Sequence, residues 1–304
     1  MAWVSTAPLV AAVSNAGAIG ILGVGFAPLE FARAQVIETQ KLTDKPFGIN
    51  VVLVPEILDR VTEIIQETHV PVVYADTLDA NTHGIAAQYF TKWHALGAKI
   101  IVKVGDVQGA KILEKAGADI IVAKGWEGGG HITFEATTVL VPVVKAAVSI
   151  PVVASGGIAD GRGMAAAIAL GADGIEMGSA FMVANETAIH PNAKQAILDA
   201  TDMQNVVTGA STGQPCRQLK NKLSDQLEQL ESAEPRELAA PKVQALAGQS
   251  LKLAMTDGDV NDRGAVMVGQ IAPLLNHERP AHTIIDDTLS ECHTILRQAA
   301  TFSY

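Results

Sequence analysis

The sequence predicts an α/β fold: a TIM (β/α)8-type barrel that lacks its first strand and carries a small C-terminal α-helical subdomain. Three observations predict it. A phrase built around Gly-Ala recurs where helices give way to strands, at Ala16-Gly17-Ala18, Leu96-Gly97-Ala98, Ala116-Gly117-Ala118 and Leu170-Gly171-Ala172. Seven short apolar runs alternate with stretches of helical length. The last two runs end in glycine-bearing turns, Ser155-Gly156-Gly157 and Met177-Gly178-Ser179, where barrels of this class hold phosphate.

Composition agrees. The chain has 304 residues, 48% hydrophobic and 18% charged, with 27 glycines, which suits one large α/β domain with a smaller appendage. A net charge of -10 without a basic stripe excludes nucleic acid as a partner. Cys216 and Cys292 are too few for a disulfide framework, and neither has a metal-ligand neighbour at the right spacing, so no metal site is expected. A reducing cytoplasm is the expected setting. The first 29 residues carry no charge, yet no export signal or membrane span is expected. No Lys or Arg precedes Arg33, and Ser5, Thr6, Pro8, Ser14 and Asn15 break the apolar stretch.

The Gly-Ala phrase marks helix ends, because a glycine just past a helix can take the left-handed conformation that stops it. The β-branched runs that follow suit buried parallel strands. Strands are expected over 19–25, 47–53, 70–77, 99–104, 119–125, 150–157 and 174–181. Pro46, Pro71 and Pro151 stand at or just before strand starts, where a missing N–H costs no ladder bond. Helices are expected near 5–16 and over 55–68, 84–96, 106–116 and 161–170. The chain opens on Met1-Ala2-Trp3-Val4 and a helix, so the first barrel strand is absent, and an open edge is expected beside it.

The expected division is a βα barrel over 1–200, a helical subdomain at its mouth over 201–260, and a segment returning to the barrel over 261–304. Leu219, Leu223, Leu227 and Leu230 recur at three- and four-residue intervals, which predicts one amphipathic helix. Arg217, Lys220 and Lys222 beside it either pack at the mouth or meet a cofactor phosphate or an acidic carrier protein. A terminal helix is expected over 281–300.

Four groups are candidates for chemistry. Gly156, Gly157 and Gly178 bare their main-chain amides, and Ser155 and Ser179 stand beside them, so the two turns together form a phosphate clamp. In Lys124-Gly125-Trp126-Glu127-Gly128-Gly129-Gly130-His131, three glycines let the backbone pass a flat ligand and leave His131 as the first side chain able to move a proton. A purely structural loop histidine is the competing reading. Asn50 interrupts an apolar strand with an amide that wants either a ring edge inside the barrel or a bond between strands. Val266-Met267-Val268-Gly269-Gln270 opens a late loop, and the preceding Asp257-Gly258-Asp259 lacks the remaining spacing of a calcium loop. His190-Pro191-Asn192 lines the mouth or starts a helix, and His69, His83, His94, His277, His282 and His293 lack any glycine context.

These motifs, with Asn15-Ala16-Gly17-Ala18-Ile19-Gly20, Phe47-Gly48-Ile49-Asn50 and Ala154-Ser155-Gly156-Gly157-Ile158-Ala159-Asp160-Gly161, resemble the FMN-dependent family that unites nitronate monooxygenases with flavin-type enoyl-acyl carrier protein reductases. The likeness runs nearly the whole length. His190-Pro191-Asn192 and Leu219-Lys220-Asn221-Lys222-Leu223 incline it to the reductase branch. It departs from the family at Tyr74-Ala75-Asp76-Thr77, where a Gly-rich phrase is usual, at Lys124, where an acid is common, and at Gly128.

The resemblance implies FMN across the mouth, its phosphate on Gly156, Gly157, Gly178 and Ser179, with Met1, Asn50, Gly129, Gly130, Ser155, Met267, Gly269 and Gln270 around the flavin. It implies His131 as the catalytic residue and NAD(P)H as reductant. The substrate would be a trans-2-enoyl group on acyl carrier protein or a small molecule, with oxidation of nitroalkanes by O2 as the alternative. A non-catalytic truncated flavin or phosphate binder is the third reading. The sequence leaves oligomeric state open, a homodimer included.

Overall fold

A computed structural model describes residues 1–77 and 83–301, the side chain of His83 excepted. Helices and strands alternate as expected through the first part of the chain. The order is α1 (Ala7–Asn15), β1 (Gly20–Leu22), α2 (Leu29–Leu42), β2 (Phe47–Val52), α3 (Pro55–Thr68), β3 (Val72–Asp76), α4 (His83–Ala95), β4 (Lys99–Val104), α5 (Val107–Ala116), β5 (Ile120–Lys124), β6 (Gly130–His131), α6 (Thr137–Lys145), β7 (Val152–Ser155), α7 (Gly161–Ala169), β8 (Gly174–Glu176) and α8 (Ser179–Met182). Gly17, Gly97, Gly117 and Gly171 all have φ between 87° and 103°, the left-handed conformation the recurring phrase requires at its helix ends.

Seven of these strands form one parallel curled sheet in the order β1-β2-β3-β4-β5-β7-β8. This is the expected barrel-type α/β fold. β1 and β8 are its edges, and the turn from Met1 lies between them: Met1 O accepts from the N–H groups of Val4 and Ser5, while Gly23 N donates to Ser5 O.

Strand alternation sorts the core into two layers. One set of positions, including Val73, Ala75, Ile100, Val102, Ile121, Ala123, Val152 and Ala154, packs in the large core with helix residues such as Phe90, Trp93 and Leu140. The other set faces inward, and its lower part is apolar: Val72, Tyr74, Ile101 and Val122, with Ile21, Ile120 and Val153 against them. Two strands fall well short of expectation: β8 has three residues where 174–181 is expected, and β1 three where 19–25 is.

The remaining chain comprises α9 (Pro191–Leu198), β9 (Asn205–Thr208), β10 (Cys216–Leu219), α10 (Lys222–Ala233), α11 (Arg236–Ala247), the short α12 (Ser250–Lys252) and α13 (Ala281–Ala300). The segment over 201–260 is therefore not purely helical. β9 and β10 join β6 in a three-stranded antiparallel sheet, order β6-β10-β9. Leu219 ends β10 and does not belong to the helix with the other leucines. Leu223, Leu227 and Leu230 do face one way from α10, onto Val243, Ala265 and Met267. The terminal helix forms as expected, and Glu291 on α13 accepts from Gly161 N at the start of α7, 2.8 Å away.

Asn221 ties this C-terminal part together. Its Oδ1 accepts from Ser224 N at 3.0 Å and Ser224 Oγ accepts from Asn221 N at 2.9 Å, a reciprocal cap on α10. Its Nδ2 donates to Val260 O at 2.8 Å and Gly264 O at 2.7 Å. Asn221→Ala loses the cap and strands two carbonyls, so a loss of about 2–3 kcal/mol in urea unfolding is expected. An unchanged midpoint would contradict this account of the subdomain.

Candidate active site

The inward positions turn polar at the C-terminal ends of the strands. Asn50 on β2, Tyr74 and Asp76 on β3, Lys103 on β4, Lys124 on β5, Ser155 on β7 and Glu176 on β8 share one face by register, since Asn50 pairs with Tyr74, Lys124 with Ser155, and Ser155 with Glu176. The Lys103 ammonium donates to Asp76 Oδ2 at 2.8 Å. It stands 2.8 Å from Oδ1 too, at an angle that leaves that oxygen without a hydrogen bond of its own. Burial opposes the Asp76 charge, but Lys103 outweighs it and holds the carboxyl below its ordinary range. Ser155 Oγ donates to Glu176 Oε1 at 2.8 Å. Burial, then Glu176 and Asp76, push the Tyr74 phenol well above its usual value.

Lys124 is 8% exposed. Its ammonium donates to Gly129 O at 3.0 Å and to His131 O at 2.6 Å. Burial first, then the neighbouring Lys103, push its pKa down to about 8.

His131 stands at the end of β6, held by Cys216 across the small sheet. Its imidazole stacks with Phe26, ring centroids 6.3 Å apart and planes within 25°. Phe26 is 53% exposed, an aromatic wall facing the mouth. Burial first, then Lys103, lower the His131 pKa below its ordinary value. The imidazole is therefore neutral at pH 7 and can donate from one nitrogen and accept at the other. Cys216 stands beside it, where sequence reasoning gave it no place, but burial pushes its thiol up to about 11, which removes it as a nucleophile near neutrality.

The two glycine turns lie side by side because β7 and β8 are neighbours. Gly156 and Gly157 have φ of 97° and 74°. Among the described residues, no acceptor is found for the main-chain N–H groups of Gly156, Gly157, Gly178 and Ser179. A Cβ on Gly178 would meet only the Met1 side chain, from 3.5 Å. Main-chain N–H groups without an acceptor on two neighbouring turns fit a phosphate. The turn is braced from behind by Thr137, whose hydroxyl donates to Gly156 O at 3.0 Å and to Glu127 Oε2 at 2.8 Å.

The late loop closes the same corner. Ser179 Oγ accepts from Gly269 N at 2.9 Å, and Gln270 N donates to Glu127 O at 2.9 Å. A Cβ on Gly129 would stand 2.6 Å from the Val268 carbonyl carbon, and one on Gly269 2.8 Å from Glu127 O. Main chain crosses main chain here, and this crossing alone demands both glycines. Met267 lies 3.9 Å from where a Gly130 Cβ would be. The structure thus brings Met1, Gly129, Gly130, Gly156, Gly157, Gly178, Ser179, Met267, Gly269 and Gln270 together. Ser155 is turned to Glu176, and Asn50 lies across the mouth with Nδ2 3.4 Å from Tyr74 O.

Other expectations resolve simply. Arg217 is buried, its guanidinium stacked over Trp126 and bonded to Trp126 O, while Lys220 and Lys222 pair with Asp225 and Asp262. His190 caps α9, accepting from Asn192 N at Nδ1. His94 pairs with Asp119 on the outer side of the barrel. Among the described residues, no group of three His, Cys, Asp or Glu side chains is arranged to hold a metal ion, and no helix is long and apolar enough to cross a membrane.

Comparison with known proteins points one way. The sequence model of the nitronate monooxygenase family matches residues 1–291. A probable nitronate monooxygenase of Staphylococcus aureus is 30% identical over 98% of this chain and 94% of its own. A hydroxy-methyl-oxo-octahydro-indene-carboxyl-CoA dehydrogenase of Rhodococcus jostii is 33% identical over 85% of this chain and 72% of its own. Among solved structures, FabK from Thermotoga maritima superposes with a TM-score of 0.91 at 39% identity, covering 99% of this chain and 93% of that one. Nitroalkane oxidase from Streptomyces ansochromogenes superposes with a TM-score of 0.81 at 27% identity, over 98% and 94%.

An NMR titration of the His131 ring should give a pKa below the usual value of about 6.5. Between the two values the unfolded chain binds the proton first, so stability contributed by this group falls as pH drops through that window. A ring titrating at or above about 6.5 would contradict the electrostatics described.

Proposed function

The chain belongs to the nitronate monooxygenase family and is a flavin-dependent oxidoreductase, and from that premise we propose that it uses FMN and NAD(P)H to reduce trans-2-enoyl thioesters, carried on acyl carrier protein or on a smaller group. The observation that carries the reductase reading is the nearly complete likeness to FabK, a type II enoyl-acyl carrier protein reductase, at higher identity than to the nitroalkane oxidase.

FMN, when bound, supplies hydride transfer between nicotinamide and substrate. The amides of Gly156, Gly157, Gly178 and Ser179 would hold its phosphate, with Asn50, Gly129, Gly130, Met267, Gly269, Gln270 and Met1 around the ring system. Ser155 would act one step back, by orienting Glu176. Hydride arriving at the β-carbon of an enoyl thioester drives negative charge onto the thioester oxygen. A neutral imidazole N–H at His131 is suited to that oxygen, and the ammonium of Lys124, which has no carboxylate partner among the described residues, favours the charge that develops. Neutral His131 is a poor proton donor in the full sense, so the α-carbon would take its proton from solvent once the enolate has formed.

The same neutral imidazole can accept the α-proton of a nitroalkane, which supports nitronate oxidation as the second reading. Anaerobic NAD(P)H oxidation that depends on a short trans-2-enoyl thioester supports the first reading. Substrate-dependent O2 uptake without NAD(P)H supports the second and sinks the first. A colourless protein that stays colourless with FMN sinks both. His131→Ala should keep its flavin spectrum and lose turnover by about 10²-fold or more; equal turnover removes His131 from the chemistry.

A further inference from the structure

Lys124 is the one buried lysine of the mouth that meets no carboxylate: among the described residues its ammonium has neither an ion-pair partner nor a hydrogen-bonded carboxylate. Burying an ammonium this way is costly, and an apolar chain of similar length would fill the space without that cost. Both of its bonds instead run forward, to the carbonyls of Gly129 and His131, in the loop that Lys124 itself begins. The loop is shaped around this side chain. A Cβ on Gly128 would stand 2.7 Å from Lys124 Cε, so the lysine would have to shift from its place to admit one, and Thr133 Oγ donates a hydrogen bond to the Lys124 carbonyl. The loop thus leaves β5 and returns to it through one lysine, with His131 at the point of return.

We propose that Lys124 is a positioning residue for the reaction: its ammonium fixes the main chain of residues 129–131 and so sets where the His131 imidazole stands over the barrel mouth. This rests on the oxidoreductase reading for its consequence in turnover, while the placement itself does not. The titratable groups around the ammonium are Lys103 from the adjacent β4, Asp76 from β3 one strand further on, Glu176 from β8, Cys216 from β10, the Met1 amino group and His131 itself. Removing the positive charge also removes one of the influences that lower the His131 pKa.

The test compares the parent with Lys124→Met and Lys124→Gln as flavin-loaded full chains, by steady-state kinetics and by NMR of the histidine rings. Lys124→Met should retain flavin, lower kcat by roughly 10- to 100-fold with KM within about twofold, shift the His131 ring resonances and raise its pKa. Lys124→Gln, which keeps two N–H donors without the charge, should recover part of kcat and leave the His131 pKa raised. If Lys124→Met does not fold, the Gln variant carries the same ring measurements. Unmoved His131 resonances and titration overturn the proposal, whether kcat falls or not. A parent inactive on enoyl thioesters and nitroalkanes, with His131 still responding to Lys124→Met, sinks the functional reading and leaves the placement standing.

Discussion

A parallel strand turns its side chains to two faces in strict alternation, and in this chain the inner face must serve two incompatible purposes within five or six residues. Its lower rungs, Val72, Ile101, Val122 and Val153, fill the barrel. Its upper rungs, Asp76, Lys103, Lys124, Ser155 and Glu176, carry charge and hydrogen bonds. The join between the two layers fixes everything above it. Charge cannot sink into the apolar layer without losing water, so each charged group must find its partner sideways, on the next strand, or forward, in the loop it leads into. Asp76 and Lys103 solve this sideways; Lys124 solves it forward.

That division explains why His131 is neutral and oriented at once. The small sheet of β6, β10 and β9 holds its main chain, and Phe26 covers one ring face. Burial, and after it the two lysines nearby, make a positive charge on the ring unfavourable. An imidazole so placed is a donor and acceptor of hydrogen bonds, which suits both a thioester oxygen gaining charge and an acidic C–H losing a proton.

Much of the scaffold was legible because it is periodic. Seven apolar runs, Gly-Ala phrases at helix ends and prolines before strands each have a local cause, and each lies where that cause predicts. The glycine turns after β7 and β8 were legible for the same reason, since an anion cradle needs bare amides. The polar layer was not. Asp76, Lys103, Lys124 and Glu176 sit at the ends of runs that read as uniformly apolar, and only the every-second-residue spacing within each strand marks them as sharing a face. The small sheet escaped as well: β6 has two residues and β10 reads Cys-Arg-Gln-Leu, with no alternation to see. Leu219 matched helical spacing by chance. Gly129 and Gly269 also stand where two backbones cross, a contact between distant segments that no local pattern marks.

The crossing of those two segments has a consequence for how the molecule comes into being. Every strand of the large sheet lies before residue 177, so the scaffold is in principle assembled while the rest is still being translated. The corner between the glycine turns stays unlatched until Gly269 and Gln270 leave the ribosome and thread beneath Ser179 and Glu127. A nascent barrel can therefore exist well before this corner closes, and a chain terminated before Gly269 would lack the two bonds that latch it.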